Sequence, residues 1–279
     1  MDEQLLQAIV LGVVQGLTEF LPISSSGHLI VVPALLGWDD PFIESLAFSV
    51  MLHVATLGAL LIYFFRDWVR LIPAGLATLR DRSFRDDPDR RLAWLLVVST
   101  VPAVIVGLAL DDLIETAFRE PRLVAMTLVA GGVILWLADR VGSRSRDVDE
   151  LTFRTALGIG AAQALALIPG VSRSGMAISA GLFAGLDREA AARFAFLMAT
   201  PITAGAGIWE ARKILAGEAG VDLPMVPLLA GMLASLVAGL LAIAFVMRYL
   251  RSNGVGLFVV YRIALAAVVV VAWLNLWDR

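Results

Sequence analysis

Six long apolar runs constrain what this chain can fold into more than any other feature. Each is about 20 residues long, which is the length that an α-helix needs to cross the hydrocarbon core of a bilayer. Hydrophobic residues make up 59% of the 279 residues, and the charged side chains are concentrated between the runs. The sequence therefore predicts an all-α polytopic membrane protein with six transmembrane helices, at Phe42–Phe65, Leu92–Leu110, Leu123–Ala138, Ala190–Trp209, Pro224–Met247 and Gly256–Trp277.

The second constraint is an internal repeat. Residues 11–30 (LGVVQGLTEFLPISSSGHLI) resemble residues 159–178 (IGAAQALALIPGVSRSGMAI), 148 positions further along. The copies share Gln15 and Gln163, Ser24 and Ser172, Ser26 and Ser174, and Gly27 and Gly175. They differ where Glu19 corresponds to Leu167, His28 to Met176 and Ser25 to Arg173. One scaffold that carries two sets of polar groups indicates a single asymmetric site between two related halves.

Neither repeated segment is typical of a simple membrane span. Pro22 and Pro169 interrupt the apolar pattern, and a proline cannot continue a helix. We expect two re-entrant helical hairpins, at residues 4–37 and 155–186, each built from half-length helices around a break. Irregular backbone at membrane depth is tolerated only where protein or a water-filled cavity surrounds it. The breaks should therefore face an interior cavity.

The distribution of arginine predicts the topology. Residues 66–91 contain seven arginines and residues 140–154 contain four, so both segments should lie on the cytoplasmic side. The intervening residues 111–120 contain four acids and one arginine, as expected outside. This parity requires each hairpin to cross the membrane an even number of times. The chain should thus consist of two repeats of inverted topology, 1–140 and 151–279, joined by a cytoplasmic linker at 141–150, as in many transporters.

Composition excludes several classes of function. The chain has no cysteine, which excludes disulfides, thiolate metal sites and cysteine nucleophiles. No basic face interleaved with aromatic residues is present, so we expect no nucleic-acid partner. The functional candidates therefore lie in the two proline-containing loops.

Gln15 and Glu19 lie four residues apart and share one face of the first half-helix. A carboxylate at membrane depth is costly and indicates a functional site. We interpret Glu19 as a metal ligand or a general base. The alternative is a buried carboxylate that only accepts hydrogen bonds from the serine loop or reaches water at the interface.

The loop after Pro22 reads Ser24-Ser25-Ser26-Gly27-His28 and opens the next half-helix. A helix N-terminus exposes unpaired N–H groups and favours anions, and neighbouring hydroxyls add donors, so this segment suits a phosphate. Capping of the helix explains only one of the serines. His28 is a candidate acid or base, with simple packing as the alternative. His53 lies in an ordinary apolar run, and we expect it to be structural.

The second loop supplies a fixed positive charge. Arg173 stands between Ser172 and Ser174, before Gly175, and a guanidinium matches phosphate oxygens bidentately. A plain ion pair between Arg173 and Glu19 is the alternative interpretation. Together, the two loops predict a site for phosphate recognition or phosphoryl transfer. A site of this kind inside a membrane bundle predicts an amphiphilic substrate with a phosphate head and a hydrocarbon tail.

The motifs at 15–28 (QGLTEFLPISSSGH) and 169–175 (PGVSRSG) resemble those of the undecaprenyl-diphosphate phosphatase family, the bacitracin-resistance type of integral membrane phosphatase. The resemblance covers essentially the whole chain. It implies that undecaprenyl diphosphate is hydrolysed to the monophosphate and inorganic phosphate with the aid of a divalent cation, Mg²⁺ or Ca²⁺. It also implies that a lipid carrier for cell-wall synthesis is recycled at the outer face of the bacterial inner membrane.

The same resemblance implies roles for single residues. Glu19 would hold the metal or act as base, Ser25 would be the nucleophile, His28 a proton donor or base, and Arg173 the phosphate clamp. Two positions depart from the family pattern. Gln15 stands where many members have a second glutamate, and Ala177 stands where threonine is frequent, so a hydroxyl contact from that position is absent here.

Several alternatives stay open at the level of sequence. The nucleophile is Ser25, in a phosphoserine route, or a metal-bound water that attacks directly. A lipid-phosphate flippase would share the inverted-repeat architecture, although a passive carrier has no need of Glu19 and His28 beside a phosphate. Membrane lipids are expected partners, and a homodimer is compatible with the sequence.

Overall fold

A computed structural model describes residues 3–84, 87–109, 121–216 and 222–274, and these ranges contain helices and no β-strand. The all-α prediction is confirmed. The helices are α1 (Glu3–Phe20), α2 (Ser25–Leu36), α3 (Leu46–Tyr63), α4 (Phe65–Asp81), α5 (Pro88–Ala109), α6 (Pro121–Val141), α7 (Phe153–Ala164), α8 (Arg173–Phe183), α9 (Arg188–Leu215), α10 (Met225–Leu250) and α11 (Gly256–Ala272). Short 3₁₀ turns lie at Val148–Glu150 and Leu165–Leu167.

Five of the described helices are long and apolar enough to cross a membrane: α3, α5, α6, α9 and α10. The sixth predicted span corresponds to α11, which is apolar but has only 17 residues in the described part of the chain. The protein is therefore a multi-pass membrane protein, with five of the six predicted spans reaching full length. The predicted acidic loop at 111–120 lies outside the described residues.

α4 lies in the arginine-rich segment 66–91, where the sequence predicted no transmembrane helix. Its apolar residues form one exposed stripe, and its charged residues lie on the other face; the stripe consists of Phe65, Val69, Ile72, Leu76 and Leu79. Such a two-faced helix is typical of segments that lie in the plane of a membrane interface. The charges within this segment concealed its helical period from the sequence analysis.

The chain breaks at both predicted prolines. α1 ends at Phe20 and α2 begins at Ser25, and on the second side α7 and its 3₁₀ turn end at Leu167 before α8 begins at Arg173. α1 is longer than the half-length helix that we predicted, since its 18 residues span about 27 Å. The side from which each hairpin enters the membrane, and with it the inverted repeat of 1–140, 141–150 and 151–279, stays a prediction.

Small residues let the first helix of each hairpin approach a long helix of the other half. α1 packs on α10, where a Cβ added to Gly12 would lie 2.1 Å from the carbonyl oxygen of Gly231. α7 packs on α5, where a Cβ added to Gly160 would lie 1.9 Å from the carbonyl oxygen of Ser99. Close contact through small residues is a common way to join helices in a membrane. Each hairpin is thus held by the opposite half of the chain.

Arg262 of α11 is fully buried and links both breaks to one helix. Its guanidinium donates hydrogen bonds to the carbonyl oxygens of Pro22 (3.1 Å), Gly170 (2.9 Å) and Val171 (3.0 Å). It also donates to two carbonyls of α6, those of Thr127 and Leu128. All of these hydrogen bonds go to backbone carbonyl oxygens, so the guanidinium connects the two loops structurally.

Candidate active site

The two broken loops meet and hold each other in place. Ser24 Oγ accepts a hydrogen bond from Gly170 N (3.1 Å), and Ser174 Oγ donates to the carbonyl oxygen of Leu21 (3.1 Å). Ser24 and Ser172 are the N-caps of α2 and α8, and both have positive φ angles, 77° and 78°. A non-glycine residue in this region is strained, and such strain clusters at functional sites. The starts of α2 and α8 are therefore fixed side by side.

The Glu19 carboxylate lies at the centre of the site. Its Oε2 accepts hydrogen bonds from Ser25 Oγ (2.6 Å) and Gln15 Nε2 (3.0 Å), and His53 Nε2 lies 3.4 Å away. Its Oε1 forms an ion pair with Arg173. Glu19 is buried and has lost most of its hydrating water, so these protein contacts supply the hydrogen bonds that water would otherwise provide. The structure thus brings Gln15, Glu19, Ser25 and Arg173 together, as the sequence analysis expected.

Arg173 reaches Glu19 from the first residue of α8 and is fixed by a second contact. Its Nη1 donates to Thr203 Oγ1 (3.1 Å) on α9. The ion pair that the sequence analysis gave as the alternative to a phosphate clamp is therefore present. It does not account for the site as a whole, because the guanidinium has five donors and borders an open cavity.

That cavity has a volume of about 350 Å³ and lies between the two loops, α3 and α9. Its polar lining includes Ser25, His53, Gln163, Ser172, Arg173 and Thr203. The apolar part of the lining comes from side chains such as Leu29, Ile43 and Phe48. The volume falls within the range of small-molecule sites, which begins at about 300 Å³. A polar end beside an apolar wall suits a molecule with a charged head and a hydrocarbon tail.

His28 does not join this group. Its Nδ1 donates to the carbonyl oxygen of Ser24 (2.7 Å), and its Nε2 accepts from the Tyr261 hydroxyl (2.8 Å) on α11. The ring is buried, and both nitrogens have protein partners. The geometry therefore gives His28 a role in holding the first loop against α11. Its predicted part in proton transfer has no support in these contacts.

His53, which we expected to be structural, lies in the site instead. Its Nδ1 must donate to the carbonyl oxygen of Ser49 (2.8 Å), because a carbonyl only accepts. Nε2 then faces Glu19 at 3.4 Å and borders the cavity. In sequence, His53 differed little from its apolar neighbours. The only available signal was an ionisable group within a predicted span.

The remaining predicted binding residues divide between the cavity and the scaffold. Ser24, Ser26 and Ser172 border the cavity, whereas Gly27 N and Gly175 N are bonded to the capping hydroxyls of Ser24 and Ser172. The hydroxyl oxygens of Ser24 and Ser26 are 3.3 Å apart, and those of Ser172 and Ser174 are also 3.3 Å apart. The N–H groups at the first positions of α2 and α8 have no partner within their helices. These groups are the donors available to an anion.

The predicted divalent cation finds no ready-made site in the described part of the chain. No group of three or more His, Cys, Asp or Glu side chains there lies close enough to hold a metal. Glu19, the predicted ligand, is occupied by Arg173, Ser25 and Gln15. The donor set does not fit a resident metal ion. Mg²⁺ is often bound through one carboxylate together with substrate phosphates, and Glu19 fits that arrangement.

Comparison with known proteins identifies the family of this chain. The family described as bacitracin resistance protein BacA matches residues 8–268. The undecaprenyl-diphosphatase of Moorella thermoacetica is 47% identical over 271 residues, which cover 97% of this chain and 98% of that protein. The enzymes of the same name from Desulforudis audaxviator and Gemmatimonas aurantiaca are 44% and 47% identical, over 95% and 94% of this chain and 96% of each relative. The chain belongs to the bacitracin resistance protein BacA family.

Proposed function

We propose that this protein is an integral membrane phosphatase that hydrolyses undecaprenyl diphosphate to undecaprenyl phosphate and inorganic phosphate. The observation that carries the proposal is the 2.6 Å hydrogen bond from Ser25 Oγ to Glu19, beside Arg173 and two helix N-termini in one cavity. A nucleophile, a base and an anion-binding surface are thus assembled at one place. The names of the relatives support the same activity and substrate.

The geometry favours a phosphoserine route. The terminal phosphate binds against the exposed N–H groups of α2 and α8, with Arg173 on its oxygens. Ser25 Oγ attacks the terminal phosphorus as its proton passes to Glu19, and the bond to the bridging oxygen breaks. Undecaprenyl phosphate leaves, and a water molecule then hydrolyses the phosphoserine to release inorganic phosphate. Glu19 passes the Ser25 proton to the leaving phosphate oxygen, then accepts a proton from the attacking water and returns it to Ser25 Oγ as the phosphoserine bond breaks.

The divalent cation belongs to the proposal as a companion of the substrate. Mg²⁺ or Ca²⁺ would arrive bound to the diphosphate, and Glu19 would be its protein ligand. Its contribution would be to neutralise phosphate charge. The protein residues position the phosphate and handle the proton.

We place the active site at the outer face of the bacterial inner membrane. Glu44 and Ser45 border the cavity and precede α3, whereas the arginine-rich segment follows α3. If that segment is cytoplasmic, the cavity opens on the opposite side. An enzyme in this position recycles the lipid carrier of cell-wall synthesis and confers bacitracin resistance. Lipids are its partners, a homodimer is compatible with the proposal, and no nucleic acid takes part.

Phosphate release by the purified protein tests the proposal. The protein is incubated with a prenyl diphosphate in detergent, with and without a chelator. We expect release that the chelator suppresses and that Glu19→Gln and Arg173→Ala reduce by at least a hundredfold, since each removes a charged group from the site. Full release by both variants would contradict the assignment of the site.

A labelled diphosphate distinguishes the two nucleophiles. With a label on the terminal phosphate, rapid quenching should trap a phosphoprotein that is absent from Ser25→Ala. Substantial turnover by Ser25→Ala would instead support direct attack by water, with Ser25 only orienting the phosphate.

A further inference from the structure

Gln163 borders the cavity, and its side-chain amide makes no hydrogen bond with the described residues. It lies at the end of α7, is 2% exposed and borders the same cavity as Ser25 and Arg173. Within the described part of the chain, neither Nε2 nor Oε1 of Gln163 has a hydrogen-bond partner. Buried amide groups almost always have partners, and one left without costs free energy on folding. A side chain that carries this cost beside a cavity has the properties of a ligand contact.

The internal repeat explains why this amide is unoccupied. Gln163 corresponds to Gln15, whose Nε2 donates to Glu19 one turn further along α1 (3.0 Å). The residue one turn after Gln163 is Leu167, which has no acceptor in its side chain. The second copy therefore has the amide donor but no carboxylate to accept its hydrogen bond. Gln163 and Leu167 both border the cavity instead.

A phosphate oxygen is the acceptor that the surroundings provide for. Ser172 and Arg173, at the start of α8, border the cavity together with Gln163, so this side chain lies beside an anion-binding surface. An amide N–H that meets a charged oxygen forms a stronger hydrogen bond than one that meets a neutral acceptor. We propose that Gln163 is a substrate-binding residue that donates through Nε2 to a phosphate oxygen of the bound diphosphate; this inference rests on the proposed function.

Gln163→Met tests the inference, because methionine keeps the length of the side chain and removes both polar atoms. We expect kcat/KM for a prenyl diphosphate to fall about 10- to 100-fold, mostly through a higher KM, as loss of a hydrogen bond to a charged group predicts. The thermal midpoint of the substrate-free protein in detergent should rise, because two unsatisfied polar atoms have been removed. A residue with only a structural role would not weaken catalysis while stabilising the fold.

Gln7→Met provides the matched control. Gln7 is also buried in α1 with an unpartnered Oε1 among the described residues, yet it does not border the cavity, so kcat/KM should stay within twofold of wild type. An active wild-type protein with unchanged kcat/KM in Gln163→Met would overturn the inference. A lowered midpoint with a matching loss of active protein would also overturn it. A wild-type protein that releases no phosphate would instead overturn the proposed function.

Discussion

Glu19 shows how a carboxylate is kept in place at membrane depth. Each of its oxygens has a donor, and the donors come from different parts of the chain: Gln15 of the same helix, Ser25 of the neighbouring loop and Arg173 of the other half. Fixing one group from several directions is what a base needs, because its position relative to the nucleophile sets the rate.

His53 leads to the first prediction. Its Nε2 lies 3.4 Å from Glu19, so it helps to orient the carboxylate that accepts the Ser25 proton. Since Nδ1 donates to Ser49, Nε2 carries a proton only in the imidazolium, which then forms an ion pair with Glu19. His53→Leu removes this ion pair and should lower kcat about tenfold, equivalent to about 1.4 kcal/mol. His53→Gln, which keeps a donor at similar reach, should recover part of this loss. Steady-state kinetics measure both; equal activity of the two variants would contradict the role.

The site was predictable from sequence where polar groups are out of place in a membrane. Glu19, Ser25 and Arg173 stand at breaks in apolar segments. The free-energy cost of burying such polar groups in a membrane is enough to indicate a function for them. His53 and Thr203 could not be found in this way, because only the packing of α3 and α9 against the loops places them at the cavity. His28 is the opposite case, a residue that the sequence placed in the site and the structure places outside it. The backbone at Ser24, with its positive φ, sets the direction of α2 and turns His28 towards Tyr261.

At the scale of elements, glycine decides how closely the helices approach. Gly160 of α7 lies against the backbone of Ser99 in α5, and Gly12 of α1 lies against that of Gly231 in α10. The two glycines occupy equivalent positions of the repeat, 148 residues apart. Both hairpins therefore use one position to dock on the opposite half. These contacts set how closely α1 approaches α10 and how closely α7 approaches α5.

Gly160→Ala should destabilise the protein. The added Cβ would lie 1.9 Å from the Ser99 carbonyl oxygen, so α5 and α7 must move apart, and overpacking of this kind costs about 1–3 kcal/mol. Thermal unfolding in detergent should show a lower midpoint. Gly158→Ala is the matched control, because Gly158 lies on the same helix, is exposed and has no atom within 4 Å of an added Cβ. A midpoint for Gly160→Ala that is no lower than that of Gly158→Ala would contradict the clash, since propensity alone favours alanine over glycine in a helix.

The elements were predictable to different degrees. Both breaks follow from proline, which removes a hydrogen-bond donor from a helix wherever it stands. The length of α1 was underestimated, because its first turn is polar and does not extend the apolar pattern. α4 was missed for a related reason: three arginines, two aspartates and a proline in the segment are typical of a loop, and the exposed stripe becomes visible only at helical spacing. The length of apolar runs therefore finds helices that are apolar all round and overlooks amphipathic ones.

At the scale of the whole molecule, the two halves share one site. The first supplies Glu19, Ser25 and His53, and the second supplies Arg173 and Thr203. The repeat in sequence predicted this division, since one scaffold position carries Ser25 in one copy and Arg173 in the other. What sequence could not predict is the connection between the halves. Arg262 is an arginine in an apolar run, and its carbonyl partners belong to the backbone, which leaves no pattern in side chains.

Arg262→Met should weaken that connection. Loss of the guanidinium leaves buried carbonyls at Pro22, Gly170 and Val171 without this donor, at about 1–3 kcal/mol for each group that finds no other. We expect a lower thermal midpoint together with a lower kcat, because both loops lose their common support. Arg262→Lys should recover stability in part, since an ammonium has three donors but lacks the planar fork.

Val260→Met, on the exposed side of the same helix, is the control for Arg262→Met and should match wild type in both measurements. An Arg262→Met protein with a wild-type midpoint and wild-type kcat would show that the loops hold their positions without α11.

The position of Arg262 along the chain has a consequence for biosynthesis. Its acceptors at Pro22 and Gly170 lie 240 and 92 residues earlier, so both loops are synthesised well before α11. An arginine that meets lipid without partners is costly. We therefore expect α11 to reach its final depth only after both loops have folded and their carbonyl oxygens are in place. Stable insertion of this helix thus depends on the prior assembly of the site. In a nascent chain with a misfolded loop, Arg262 would keep an unpaired charge that the membrane disfavours.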